Sequence, residues 1–206
     1  MKTSFFFFAL SAISGFVQAA SDSDAHADWE IRPGPGLPSL EAVGLSKEIL
    51  YNMSLEEIAN PGTHLKFRAI SRIESPLLSK RFEPFCIPDI MPAEASCAAW
   101  CILYLNNLGT TPCVATTGLP FFVQCQKSGS TGATIYGWVA PGVYKESVSS
   151  ACRDVARGIS WVQNNPACYS SNKCGSFTCL GGVNAAYGNG EMAVKLRAWS
   201  TDIQYF

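Results

Sequence analysis

Apolar positions recur along the second half of the chain with two periods, and each period predicts an element. Val148, Cys152, Val155, Ile159 and Val162 alternate spacings of four and three, the stripe of an amphipathic helix, with Ser147 as its cap and Asn164-Asn165-Pro166 as its stop. A second helix is predicted between Pro92 and Gly109, around the apolar block 98–105, because proline suits a first helical turn and glycine a stop. Residues 121–125 and 134–139 are short runs of aromatic and β-branched residues separated by a Gly/Ser/Thr loop, which predicts two strands of a hairpin. In the second run Ile135 and Val139 point one way, and Tyr136 and Trp138 the other. Asn189-Gly190 predicts a tight turn with a strand on each side. Beyond it Met192, Val194, Leu196 and Ala198 alternate with Ala193, Lys195, Arg197 and Trp199. One face of that strand packs. The other carries two cations and an indole, read as a solvent-facing strand with stacked side chains, or else as a ligand surface shared with Tyr136 and Trp138.

The resulting order is helix, strand, strand, helix, strand, strand. It predicts an α+β fold, a disulfide-stapled two-layer sandwich with the helices on one face of a small antiparallel sheet.

Cysteine usage changes the picture most. All nine cysteines, Cys86, Cys97, Cys101, Cys113, Cys125, Cys152, Cys168, Cys174 and Cys179, lie between residues 86 and 179, with none upstream. Residues 1–19 read as a signal peptide, with Lys2 before an apolar run and a small-residue site at Val17-Gln18-Ala19, so cleavage is expected after Ala19 or Ala20. The run is too short to span a membrane comfortably, and no second long apolar stretch follows. A secreted, extracellular destination makes disulfides the expected fate of the thiols. Cys97 and Cys101, four apart on one helix face, are placed to bridge to strands beneath, and Cys152 to staple its own helix to the sheet. An odd count leaves one thiol over: buried, reactive, or joining two chains in a disulfide-linked dimer.

Upstream, residues 20–81 form a propeptide or a flexible N-terminal arm, set off from a cysteine-rich domain at 82–206. The stretch 32–38 is a Pro/Gly linker or turn, and Leu40, Val43, Lys47, Leu50, Met53 and Ile58 suggest one short helix stopped by Asn60-Pro61-Gly62. Asn52-Met53-Ser54 is a glycosylation sequon. The pair Lys80-Arg81 is a candidate processing site, coinciding with the change in cysteine content.

Charge and histidine content then exclude classes of function. Both histidines, His26 and His64, lie before Lys80, so residues 82–206 hold no Ser-His, Cys-His or His-metal constellation. Among the acids there, the alternative of a small carboxylate-dependent glycosidase would draw on Glu146, Asp154 and Glu191, but their spacing suggests no pair. Seven acids balance seven bases in the same stretch, a poor basis for binding nucleic acid. No catalytic residue, metal ligand or cofactor is assigned. The glycine run around Gly181-Gly182 and Gly188-Asn189-Gly190 lacks the phosphate-cradling spacing, and a hairpin explains it.

Several short motifs resemble known secreted proteins. Val123-Gln124-Cys125, the run 135–139, Ala151-Cys152-Arg153, Lys173-Cys174-Gly175-Ser176 and the closing strand 190–196 resemble the killer-toxin family of smut fungi. The same stretch, with Trp161, Phe177 and Gly188-Asn189, also resembles fungal necrosis-inducing extracellular effectors. The resemblance covers roughly residues 121–197 and implies a non-catalytic effector or toxin acting on a host or competitor cell, through a protein or wall-glycan target. The alternative to an effector is a wall-polysaccharide-binding module using Tyr136, Trp138 and Trp199. In the killer toxins a basic residue precedes the first strand cysteine, whereas this chain has Phe122-Val123-Gln124 there and Lys127 just beyond.

Overall fold

A computed structural model of the protein describes residues 29–46, 82–88, 90–170 and 178–199. The signal peptide with Ala19, the sequon at Asn52, the Lys80-Arg81 pair and Cys174 lie outside the described residues.

The fold is α+β, a six-stranded antiparallel sheet with two helices on one face. The strands are β1 (Trp29–Pro33), β5 (Phe121–Lys127), β6 (Ala133–Val139), β11 (Asn189–Arg197), β10 (Gly182–Ala186) and β2 (Phe85–Cys86), in that spatial order. Short accessory strands complete the set: β3 (Ala93–Glu94) and β8 (Tyr169–Ser170) flank β9 (Cys179–Leu180), while β4 (Pro112–Thr116) pairs with β7 (Ser147–Ala151). Helix α1 (Ala95–Asn107) lies over β5 and β6, helix α2 (Cys152–Asn164) lies over β10 and β11, and the helices pack on each other.

Val148 of the predicted stripe lies in β7, whereas the other four positions, Cys152, Val155, Ile159 and Val162, behave as the periodicity predicts and are fully buried on α2. Gly158 sits between them for a steric reason. A Cβ there would stand 2.4 Å from the Ala185 carbonyl oxygen, so only glycine lets the helix approach β10 this closely, and its own carbonyl accepts from Asn184 Nδ2 at 3.0 Å. Gly137 plays the same part on β6, where a Cβ would overlap the Phe121 ring.

Helix α1 is buried on every side, from Cys97 through Leu105. Its third wall comes from upstream. Trp29 of β1 stacks on Trp100 with centroids 4.3 Å apart, Tyr104 Oη donates to the Pro38 carbonyl, and Leu45 is buried. Since β1 pairs in register with β5 from Trp29↔Lys127 to Pro33↔Val123, and Trp29 and Leu45 are buried, residues 29–46 are tied to the sheet where an arm was one of the two expectations. The pattern favoured an arm because Pro33, Pro35 and Pro38 punctuate it, yet an edge strand tolerates proline at its end.

Other expectations shift by a few residues. Ser147 opens strand β7 and does not cap α2, whose N-cap is Ala151. Pro92 precedes β3, so α1 starts at Ala95. The hairpin turn is Tyr187-Gly188, with Gly188 at φ 71°, and Asn189 already pairs with Ala186; a bulge at Ala185/Ala186 moves the register. The helix expected from Leu40 is, where described, a single 3-10 turn at Glu41–Val43 ended by Gly44 at φ 70°.

Three bridges join the described residues: Cys86–Cys168, Cys101–Cys125 and Cys113–Cys152; Cys179 is also disulfide-bonded. Only one of the two cysteines on α1 bridges to a strand. Cys152 staples α2 to β4, in the two-stranded sheet, and not to the main sheet. Among the described residues the unbridged thiol is Cys97, and it is buried. Burial sets the Cys97 sulfur out of reach of a second chain while the fold is intact.

Candidate functional site

Four of the five side chains proposed as a ligand surface meet on the sheet face turned away from the helices. Strands β6 and β11 are central neighbours, and their register sets Lys195 opposite Tyr136, Ala193 opposite Trp138 and Arg197 opposite Thr134. Period-two alternation then brings Tyr136, Trp138, Lys195 and Arg197 to one side. They form the floor of a cleft of about 510 Å³.

Its walls come from two loops far apart in the chain, with no local signal to join them. One is the turn after β4, contributing Thr116, Thr117, Gly118 and Pro120; the other follows β6 and contributes residues 140–143. Backbone hydrogen bonds hold them. Thr117 N donates to the Glu146 carbonyl at 2.8 Å, and Thr117 Oγ1 to the Lys145 carbonyl at 3.2 Å. Ala140 N donates to the Glu191 carbonyl at 2.8 Å, tying the second loop to β11. Gly118 at φ 84° and Gly142 at φ 80° allow the two bends. The only advance signals for these walls were Gly118 and the Pro141-Gly142 dipeptide, which announce turns and not a site.

The electrostatics of the floor are one-sided. Arg197 is only 7% exposed, so it is no solvent-facing cation as the alternation suggested. Its Nε donates to Tyr136 Oη at 2.9 Å, a second guanidinium nitrogen donates to the same oxygen, and its Cζ lies 4.5 Å from the Tyr136 ring centroid. No carboxylate pairs with it among the described residues. Lys195, two residues along the same strand, has its pKa lowered, first by burial and then by the Arg197 charge. Two cations thus stand on the floor of one cleft.

The acids lie elsewhere. Among the described residues none lines this cleft. Glu191 Oε2 pairs with Lys145 Nζ at 2.6 Å, beside a smaller neighbouring cleft of about 440 Å³, and Asp154 pairs with Arg157 at 3.0 Å on α2. Glu146 is exposed. Trp199, the fifth proposed residue, stands apart: Arg32 of β1 lies over its ring at 5.0 Å, its N–H donates to the Thr131 carbonyl, and its Cβ abuts Gly132.

Comparison with known families gives one match, to a model described as a domain of unknown function, DUF8794, over residues 86–198. The chain belongs to the DUF8794 family. No curated protein and no solved structure matched the chain. The DUF8794 region contains both helices, every described bridge and the whole cleft, but it begins after β1. The strand that completes the sheet edge and covers Trp100 therefore lies outside the family match. Among the described residues no helix is long and apolar enough to cross a membrane.

Proposed function

We propose that this protein is a secreted effector or toxin-like molecule that acts by binding a target outside the cell and not by turning it over. The observation that carries this reading is the composition of the larger cleft: two cations and two aromatics, with no acid among its described lining residues to act as proton donor, base or nucleophile. The leader, the bridges and the resemblance to smut killer toxins and necrosis-inducing effectors support the same reading. A wall-polysaccharide-binding role is the second reading, favoured by the placement of Tyr136 and Trp138 on one cleft floor.

The test is to add purified secreted protein to host tissue and to competitor fungal cells while assaying their isolated walls for released reducing sugar. Cell death or growth arrest without product is expected. Sugar release that is abolished by Glu146→Gln, Asp154→Asn or Glu191→Gln would replace the binding reading with the glycosidase one.

A further inference from the structure

Arg197 presents an unusual physical situation. A guanidinium does not deprotonate at any accessible pH, so burial cannot be relieved by losing the proton. Buried charges are ordinarily paired, because desolvation costs several kcal/mol per ion. Here the described partner of Arg197 is a neutral phenol oxygen, which takes two of its donors and fixes the planar fork at the base of an open cleft. Lys195 adds a second positive charge on the same floor. Across from Arg197 in register, the buried Thr134 hydroxyl has no hydrogen-bond partner among the described residues. The arrangement is pre-formed for a compact anion, and a carboxylate matches a guanidinium fork in shape as well as charge.

The rest of the cleft indicates what carries that anion. Strands β6 and β11 are interior to the sheet, so their backbone groups are paired with neighbours and a peptide cannot add to them as an extra strand. On the floor of the cleft, side chains face the ligand. Trp138, half-buried, lines the cleft with its indole, and Thr116 and Thr117 line its wall, their hydroxyls donating to the Leu119 and Lys145 carbonyls and able to accept from a ligand. A ring face next to hydroxyls and a fixed cation suits a sugar ring, apolar on its C–H face and polar at its rim, bearing a carboxylate. The volume is of the size that small-ligand sites occupy, roughly 300–1,000 Å³.

We propose that the cleft between β6, β11 and the loops at 116–120 and 140–143 binds an acidic saccharide, with Arg197 receiving a uronate carboxylate and Trp138 stacking on the sugar ring. This rests on the binding reading above and specifies its ligand class. The full secreted chain is titrated calorimetrically with trigalacturonate, its methyl ester, chitotriose and an acidic tripeptide. Trigalacturonate should bind, the methyl ester about tenfold or more weaker, and Arg197→Gln should lower trigalacturonate affinity by roughly tenfold to a hundredfold, the scale of a lost charge-assisted hydrogen bond. Tyr136→Phe keeps the ring but frees the guanidinium, and Lys195→Gln leaves Arg197 in place; each should weaken binding several-fold, so the proposal stays testable if Arg197→Gln fails to fold. Equal binding of the methyl ester or of chitotriose would overturn the acidic-ligand inference while leaving a binding protein. Preference for the acidic tripeptide would overturn the saccharide assignment, and no binding of any probe to protein with intact bridges would overturn the inference outright. Cell death or growth arrest without product in the cell assay would then still support a binding protein with another ligand.

Discussion

The two faces of the main sheet are built from the same strands and differ in almost everything else. The helix-facing side is dry, apolar and cross-linked: Val123, Cys125, Ile135, Val194 and Leu196 lie under α1 and α2, and the Cys101–Cys125 bridge runs straight through it. The opposite side carries Tyr136, Trp138, Lys195 and Arg197 around a cleft. One face is given over to excluding water, and the other sets two cations and two aromatic rings around a cleft. Cations and aromatics gathered in a concave site are the features of a binding surface.

Substitutions can break or sharpen that contrast. The largest effect belongs to the cross-linked side: replacing Cys113 and Cys152 together by serine removes the staple between α2 and β4, and should cost about 2–5 kcal/mol. Denaturant unfolding of the double variant checks this, and a loss below about 1 kcal/mol would mean that packing alone holds α2.

The next effect uses the thiol buried on the same side. Cys97 has its pKa pushed up to about 11, chiefly by burial; the nearby Glu94 carboxylate adds to the rise, while hydrogen bonds from Ser130, the Lys127 backbone and Ser96 oppose it. Its Sγ lies 3.4 Å from Ser130 Oγ. In the unfolded chain the thiol ionises near its ordinary value, so above that value the unfolded state holds fewer protons than the native one. This group's contribution is therefore present below about pH 8.5 and lost progressively as pH rises toward 11. A pH series of unfolding midpoints for the native chain and for Cys97→Ala should diverge in that window and run parallel below it. Alkylation without reductant should label Cys97 only when denaturant is present. Rapid labelling of the native protein would contradict its burial.

The smallest effect comes from the cleft and has the opposite sign. Lys195→Gln removes the repulsion with Arg197, and should raise stability by about 0.5 kcal/mol, an amount kept small by solvent on the open side of the cleft. Thermal unfolding with and without trigalacturonate separates the two contributions. Higher stability with weaker ligand binding is the expected pair of outcomes. If Lys195→Gln lowers stability, the cation is structural and the two faces differ less than the contrast implies.

Much of the helix-facing side was legible beforehand because hydrophobic periodicity is a local signal. The stripe on α2, the β5–β6 hairpin and the apolar face of β11 all follow from spacings within a dozen residues. The boundaries were less secure where local chemistry allowed two outcomes: Ser147 is a good cap by type, yet β4 offers it a strand partner in Thr116. The same limit hid β1, whose place in the sheet depends on pairing with β5 across some ninety residues of chain.

From the sequence alone came the α+β class, the clustering of cysteines between residues 86 and 179 and an alternating face of aromatics and cations that also took in Trp199, since composition and alternation are properties of neighbouring residues. Only tertiary structure decided which cysteine stays unbridged, that Trp29 belongs to the core, and that Arg197 is buried against Tyr136. Those outcomes depend on distance between residues far apart in the chain, and burial is a property of the whole packed molecule that no single stretch contains.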